Sequence, residues 1–324
     1  RPSNAKAMPT LQISRYFQDR VISLATGIII LCLLMALVFP YQFPTIENFS
    51  QLMLNLSIDT IVAVGMMILM ISGMFDLSVG SVVAFAGGLA GYLMYYHDVN
   101  FLVAISTALA GSVTIGLFNG WMIAKAGINP MIQTLAMMGI VRGFALMLSG
   151  AGIQNFPYAF IYIGQSKLLG LQAPVWYMIC IVLLFSLLVN KTVFFRRYYF
   201  IGGNERAAKL SGINVAKMKI WAFVLSATLA GIAGILLASR LGAALSTSGR
   251  GLELRVITAA ILGGASLSGG YGKINGVFLG ALFMALVNNM LIISRVSGYW
   301  QEIILGIILI IAVGLDKWFL KKND

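Results

Sequence analysis

Residues 191–219 read KTVFFRRYYFIGGNERAAKLSGINVAKMK, a basic and polar stretch between two long apolar segments. The stretch carries seven of the chain's 22 Lys and Arg residues, although 60% of the whole chain is hydrophobic. A loop this polar cannot lie in the hydrocarbon core of a bilayer, so it must lie in water on one side of a membrane. Because Lys and Arg are retained on the inner side, we expect this loop to be cytoplasmic.

The composition of the chain identifies its class. Charged residues make up 10% of the sequence, against about 25% in soluble domains. A soluble protein could not bury this much apolar surface, so we predict an all-α, polytopic protein whose surroundings are the lipid bilayer. The net charge of +12 comes from cations in loops and near span ends. That placement follows the positive-inside rule and does not indicate a nucleic-acid partner.

Hydropathy predicts about ten membrane spans within a single transmembrane domain, 1–324. The predicted spans are 21–39, 53–74, 77–96, 101–124, 131–149, 174–191, 218–240, 252–267, 274–293 and 299–318. An even number of spans makes 1–20 a cytoplasmic N-terminal segment and also places the C-terminus in the cytoplasm. This topology puts 16 of the 22 cations on the cytoplasmic side, as the positive-inside rule requires. The remaining cations are Arg142 within a span and, near the outer span ends, Lys167, Arg240, Arg250, Arg255 and Arg295.

Small residues recur at four-residue spacing in several spans. The pairs are Gly87 and Gly91, Gly116 and Gly120, Ala230 and Gly234, and Gly276 and Gly280. In lipid, small residues let helix backbones approach closely. The pairs therefore predict a tightly packed helix bundle.

Two segments interrupt the hydropathy pattern, SGMFDLSVGS at 72–81 and LGGASLSGGYGK at 262–273. In the first, Asp76 and Ser78 can cap the next helix, and a helix end at membrane depth is typical of a translocation path. A simple interfacial turn is the alternative. The second is not a phosphate loop, because Lys273 is followed by Ile274 instead of Ser or Thr. We interpret it as a flexible turn that closes against a neighbour.

The search for catalytic motifs is negative. The chain has one histidine, His97, and contains no HExxH, CxxC or GxSxG motif, so we expect neither an enzyme nor a bound metal or cofactor. Charged residues in or beside apolar runs are Asp59, Asp76, Arg142, Glu253 and Glu302. Such residues are costly and usually functional, but Asp59 and Glu302 lie near predicted span ends, and Glu253 can pair with its flanking arginines.

The basic stretch also contains a short predicted helix. Asn204 can cap its start and Gly212 can end it. Glu205 and Lys209 are four residues apart and suit both the helix dipole and each other. A capped helix on the cytoplasmic face indicates a docking surface for a partner, and a solvated connector is the alternative.

Five stretches carry a resemblance to a known family. They are AVGMMILMISGMFDLSVGSVVAF (63–85), NPMIQTLAMMGIVRG (129–143), IGGNERAAKLSGINVAKMKI (201–220), ATLAGIAGILLASRLG (227–242) and RGLELRVITAAILGGASLSGGYGKINGVFLGAL (250–282). The chain resembles the permease subunits of ribose-type sugar ABC importers, in the wider group that includes branched-chain amino-acid permeases. Where the family usually has Gly-Ile before Asp-Leu-Ser, this chain has Met74 and Phe75.

The resemblance implies a bacterial inner-membrane importer with a BtuC-like, type II architecture and an inverted repeat. It implies that two permeases pair, that a periplasmic or lipoprotein sugar-binding protein delivers the solute, and that a separate ATPase subunit hydrolyses ATP. The ATPase would dock on the coupling helix in 191–219, at Asn204, Glu205, Arg206, Ala207, Ala208, Lys209 and Gly212.

A neutral, polyhydroxylated solute favours amides, hydroxyls and aromatics, rather than charges, along its path. The candidates are Asp76, Ser78, Asn119, Asn288 and Asn289, and a helix-packing hydrogen bond is the alternative for each of them. An importer of branched-chain amino acids or nucleosides remains open, although a carboxylate ligand would require a cation or a helix N-terminus near mid-membrane. An ion-coupled carrier also remains open, although the spans lack a deep acidic relay.

Overall fold

The structure, a computed structural model, describes residues 10–321 of the chain, with side chains described for 21–314. The helices in this part are α1 (Thr10–Val38), α2 (Ile46–Ile71), α3 (Val79–Tyr96), α4 (Phe101–Ala124), α5 (Pro130–Ser149), α6 (Tyr158–Gln165), α7 (Ala173–Lys191), α8 (Val193–Gly203), α9 (Glu205–Leu210), α10 (Val215–Leu241), α11 (Leu252–Leu262), α12 (Ile274–Ile293) and α13 (Gly298–Lys321). Two short antiparallel pairs join β1 (Ile153–Gln154) to β4 (Ala243–Ala244) and β2 (Lys167–Leu168) to β3 (Leu171–Gln172). The predicted all-α, polytopic fold is confirmed.

Eight helices in the described residues are long and apolar enough to cross a membrane. They are the Val21–Val38 part of α1, together with α2, α3, α4, α5, α7, α10 and α12. The predicted full span at 252–267 is wrong, because α11 has 11 residues and is therefore about 16 Å long, half of a hydrocarbon core of about 30 Å. Helix α13 has 24 residues and is therefore about 36 Å long, enough to cross the hydrocarbon core.

Two terminal predictions fall partly outside the described residues. Of the predicted N-terminal segment 1–20, residues 1–9 lie outside them, and α1 already begins at Thr10. At the other end, residues 322–324 lie outside them, and α13 continues to Lys321.

Helix α10 lies at the centre of the bundle and packs against α2, α3 and α4. Glycines make these contacts close: a Cβ atom at Gly65 would lie 2.9 Å from the Ser226 Cα, and one at Gly116 would lie 2.7 Å from the Phe223 carbonyl oxygen. A Cβ at Gly234 would overlap the Val83 carbonyl. The predicted role of the small residues in packing is confirmed at Gly116 and Gly234, because any larger side chain would separate the backbones, and Gly65 adds a close contact that was not predicted.

Two non-helical segments lie inside the bundle. One, 72–78, joins α2 to α3, and the other, 242–251, joins α10 to α11. The second segment runs back along α3. The Ala244 Cβ faces Gly91, and the Gly249 backbone lies against Gly80. Gly91 and Gly80 are eleven residues apart on α3, which is about 16 Å. The segment was expected to be an outer loop, with Arg250 near an outer span end. Instead it re-enters the bundle, which explains why α11 is short.

Arg142 on α5 fixes the re-entrant segment 242–251. Its Nη1 donates hydrogen bonds of 2.7 Å each to the carbonyl oxygens of Ser246 and Ser248. Non-helical backbone is tolerated at membrane depth only where protein or water satisfies its polar groups. The guanidinium supplies donors to two such carbonyls, so this deep cation has a structural partner within the chain.

We expect Gly234→Ala to lower the free energy of unfolding by about 1–3 kcal/mol, because the added methyl would overlap the Val83 carbonyl and overpacking costs about this much. The measurement is thermal unfolding of the purified protein in detergent. Gly139→Ala on α5 is the matched control, because no heavy atom lies within 4 Å of the added Cβ. Equal melting temperatures for the two variants would contradict the close packing of α3 and α10.

Candidate functional site

The short helix α9 has the predicted caps. The Asn204 Oδ1 accepts a 3.0 Å hydrogen bond from the Ala207 backbone N–H, and Gly212 follows the helix with φ of +81°. The Lys209 Nζ lies 2.8 Å from the Glu205 Oε1, so the predicted pair is confirmed. Lys219, at the start of α10, lies 2.8 Å from the other carboxylate oxygen. Glu205 thus ties α9 to the central helix, a contact that the sequence reasoning missed.

The electrostatics of Glu205 follow from these two contacts. Hydrogen bonds from Lys209 and then Lys219 hold the pKa of the Glu205 carboxyl below its ordinary value. A depressed carboxyl pKa means that the ion pairs stabilise the segment above the ordinary pKa and are lost as the pH falls through the lowered one. Because Glu205 is 40% exposed, solvent screening keeps this contribution small.

The surface around α9 is open and partly apolar. Leu210 is 90% exposed and Phe200 is 64% exposed. Between α8 and α9 lies a cleft of about 450 Å³, whose lining includes Tyr199, Ala207 and Ile213.

Helix α8 touches two of the segments that interrupt the membrane helices. A Cβ at Gly202 would overlap both the Ile71 carbonyl and the Gly270 N–H. The Gly270 N–H itself donates a 2.7 Å hydrogen bond to the Ile71 carbonyl, and the Tyr199 hydroxyl donates one of 2.7 Å to the Gly272 carbonyl. We call this meeting point the α8 junction. The glycine-rich segment 262–273 closes against a neighbour there, as predicted.

The candidate path residues of the first break form one buried network. The Asp76 Oδ1 accepts a 2.7 Å hydrogen bond from the Ser78 N–H, and the Asn119 Nδ2 donates a 3.2 Å bond to the Ser78 Oγ. Gln133 on α5, which sequence reasoning missed, donates a 3.2 Å bond to the Asn119 Oδ1. Asp76, Ser78 and Asn119 have no exposed surface. These contacts support the helix-packing alternative, and a place on the path stays a prediction.

The adjacent candidates Asn288 and Asn289 face different surroundings. Asn289 is buried and forms an amide pair with Asn48 on α2, with hydrogen bonds of 2.6 and 3.3 Å. Asn288 lines a separate cavity between α2, α10, α11, α12 and α13. The structure therefore brings neither of them to the network around Asp76.

The cavity beside Asn288, called the polar cavity below, has a volume of about 390 Å³. Its polar lining residues are Asn55, Asp59, Arg240, Arg255, Asn288, Gln301 and Glu302. Asp59 was expected near a span end, but α2 begins at Ile46, so Asp59 lies in the middle of that helix. The Arg255 Nε lies 3.2 Å from the Asp59 Oδ2, so this arginine pairs across helices instead of with Glu253 or solvent at an outer end.

A signal for this cavity was present in the sequence. Gln51, Asn55 and Asp59 recur every four residues in an otherwise apolar helix, which places them on one face. Among the described residues, no group of three His, Cys, Asp or Glu side chains could hold a metal ion.

We expect Asn119→Ala to lower the free energy of unfolding by about 1–3 kcal/mol, because the buried amide of Gln133 loses its partner. Thermal unfolding in detergent measures the change. Asn190→Ala is the control, because Asn190 is exposed at the end of α7. A melting temperature equal to that of the wild type would contradict the packing role of Asn119 and favour its role in a path.

Comparison with known proteins adds an independent line of evidence. A family profile described as "Branched-chain amino acid transport system / permease component" matches residues 48–313. The L-arabinose transport system permease protein of Escherichia coli strain K12 is 39% identical over 282 residues, 87% of this chain and 86% of that protein. The ribose import permease protein of the same strain is 37% identical over 315 residues, 95% and 98% of the two chains. The L-arabinose ABC transporter permease protein of Azospirillum brasilense is 39% identical over 278 residues, which are 86% of this chain and 82% of that protein.

Proposed function

Because the chain belongs to the family of branched-chain amino acid transport system permease components, we propose that it is the membrane-spanning permease subunit of an ATP-driven importer of a monosaccharide. The relatives named above transport ribose or L-arabinose and align with most of this chain, which supports a sugar. The chain itself has no P-loop. The energy for transport must then come from a separate ATPase subunit, and the permease is not catalytic.

The proposal rests mainly on the properties of the α9 surface. A capped helix that presents Leu210 and Phe200 to solvent and is tied to α10 through Glu205 suits the docking of an ATPase. On this reading Asn204, Glu205, Arg206, Ala207, Ala208, Lys209 and Gly212 form the coupling surface. The ATPase binds in the cytoplasm, so the α9 surface lies on the cytoplasmic side of the bacterial inner membrane. With an even number of spans, both chain termini then lie in the cytoplasm as well.

The remaining assembly follows from the same proposal. A binding protein delivers the solute at the face opposite α9, and a second permease, either identical or related, completes the translocation path. The eight long helices, α13 and one crossing made jointly by the segment 242–251 and α11 make ten. We propose that they form a BtuC-like, type II bundle with an inverted repeat, in which α2 and α3 correspond to α10 and α11. In support, each pair is interrupted by a non-helical segment, and the starts of α3 and α11 meet at Gly80 and Gly249.

The path residues also remain proposals. Asp76, Ser78, Asn119 and Asn289 are buried and hydrogen-bonded within the chain, whereas Asn288 faces the polar cavity. Asn288 is therefore the candidate that the geometry favours. A second candidate function, import of branched-chain amino acids, is favoured by the description of the matching family.

Replacement of Ala207 by proline tests the docking surface. Proline removes the N–H that donates to Asn204, so the first turn of α9 loses its cap, and we expect the ATPase subunit to be lost from the purified complex. Pull-down of the tagged chain from its own membranes, followed by mass spectrometry, measures the ATPase. Ala207→Ser keeps the N–H and should keep the partner. Retention of the ATPase by Ala207→Pro would overturn the proposed coupling surface.

The α8 junction gives a second test, with two neighbouring glycines. Gly202→Ala should clash with Ile71 and Gly270, whereas no atom lies within 4 Å of a Cβ at Gly203. We expect Gly202→Ala to keep its ATPase but to move several-fold less solute per ATP hydrolysed, while Gly203→Ala matches the wild type. Both quantities are measured in proteoliposomes.

Tyr199→Phe extends the glycine test if Gly202→Ala does not fold. It removes one hydrogen bond to Gly272, at a cost of about 1 kcal/mol, and should also weaken coupling. If both the glycine and the tyrosine variants moved as much solute per ATP hydrolysed as the wild type, the α8 junction would not link the ATPase to the membrane helices.

A further inference from the structure

We propose that the polar cavity is a binding site, within the permease itself, for a neutral polyhydroxylated solute. The inference rests on the proposed function, because it states where the imported monosaccharide is held and which solutes are accepted. The cavity volume of about 390 Å³ lies within the range of about 300–1,000 Å³ found for small-molecule sites. Other cavities, beside α8, α1 and α4, are lined mainly by apolar side chains, so this one differs in chemistry.

The position of the polar residues favours a water-filled site over a packing contact. Asp59 lies midway along α2, where a charged side chain in a membrane helix is costly and faces protein or an aqueous cavity. Asp59 and Arg255 keep 23% and 28% of their side-chain surface exposed. Their polar atoms are therefore paired with each other and still accessible from the cavity.

The charges around the cavity balance. Asp59 and Glu302 carry two negative charges, and Arg240 and Arg255 carry two positive charges. A solute with a net charge would upset this balance in a region of low dielectric, whereas a neutral solute leaves it unchanged. The lining holds charged residues and, among the described residues, no aromatic side chain, unlike the expected path, but because its charges cancel it still favours a neutral solute.

The amides supply the hydrogen bonds that a sugar requires. Each sugar hydroxyl can donate and accept, as can a side-chain amide. The Asn55 Oδ1 accepts from Arg240 and the Gln301 Nε2 donates to the Val296 carbonyl, so these two amides are partly occupied. Within the described part of the chain, the Asn288 side chain makes no hydrogen bond to protein. Its amide is thus available to a solute, whereas Asn289 is occupied by Asn48.

The lining argues against the other solutes considered above. A nucleoside base would be expected to stack on an aromatic side chain, but none lines this cavity among the described residues. A carboxylate would need an available cation. Arg255 is engaged by Asp59. The Arg240 guanidinium donates to Asn55 and Gln51 at 3.2 and 3.3 Å, and a carboxylate would have to displace these amides and would add a negative charge to a lining that already contains Glu302.

The test is saturation-transfer NMR on the purified full-length chain in lipid nanodiscs, with D-ribose, L-arabinose and L-leucine as probes. We expect saturation of one or both pentoses, and a signal reduced about fivefold or more in Asn288→Ala, as a lost hydrogen bond implies. Asn275→Ala is the matched control: it makes the same change on the same helix, thirteen residues or about 20 Å away, at an exposed position.

Asp59→Asn is a second variant, with thermal unfolding as the check that it folds, and it should also weaken the pentose signal. The inference is overturned if neither pentose receives saturation, if Asn288→Ala and Asp59→Asn both match the wild type, or if L-leucine displaces the pentose. Failure of the proposed function would be seen in a different result. If ATP-driven pentose uptake by the assembled transporter persists without pentose binding in this cavity, only the inference is lost; if no ATPase co-purifies with the wild-type chain, the proposed function is lost.

Discussion

The architecture depends on one constraint, that backbone polar groups within a membrane must be satisfied by the protein. Two segments without helical structure, 72–78 and 242–251, lie inside this bundle. They are tolerated because glycines let the surrounding helices close on them and because Arg142 donates to two carbonyls of the second segment. The glycine content of the chain is therefore a requirement of its irregular interior as much as of its helix packing.

The α8 junction connects the surface at α9 to the polar cavity. The α8 junction contacts the end of α2 at Ile71 and the segment after α11 at Gly270. Those two helices also carry the ion pair of the polar cavity, Asp59 on α2 and Arg255 on α11. The distance along α2 from Ile71 to Asp59 is twelve residues, about 18 Å. A displacement imposed on α8 can thus reach the cavity directly through α2 and, by way of the segment 262–273, through α11.

The sequence predicted the features that depend on local chemistry. Membrane helices follow from apolar length, and the caps at Asn204 and Gly212 follow from side-chain type, so both are confirmed. The errors concern tertiary contacts. The segment 242–251 was expected to be an outer loop from the count of spans, and its contacts with Gly80 and Gly91 and with Arg142 show that it re-enters. The pair of Asp59 and Arg255 joins residues 196 positions apart, a distance at which local periodicity carries no information.

A permease whose conformation is changed by another subunit benefits from binding its solute weakly. A ligand can shift a conformational equilibrium only through a difference in affinity between states, and a solute held tightly in every state would not leave. The polar cavity is suited to transit, because its arginines already have partners and its lining offers amides without an aromatic platform. Changing the separation of α2 and α11 would alter the Asp59–Arg255 pair and, with it, the hydrogen bonds open to a solute. The charge-balanced lining of the polar cavity would then determine which solute is accepted. The subunit bound at the α9 surface would determine the direction of transport.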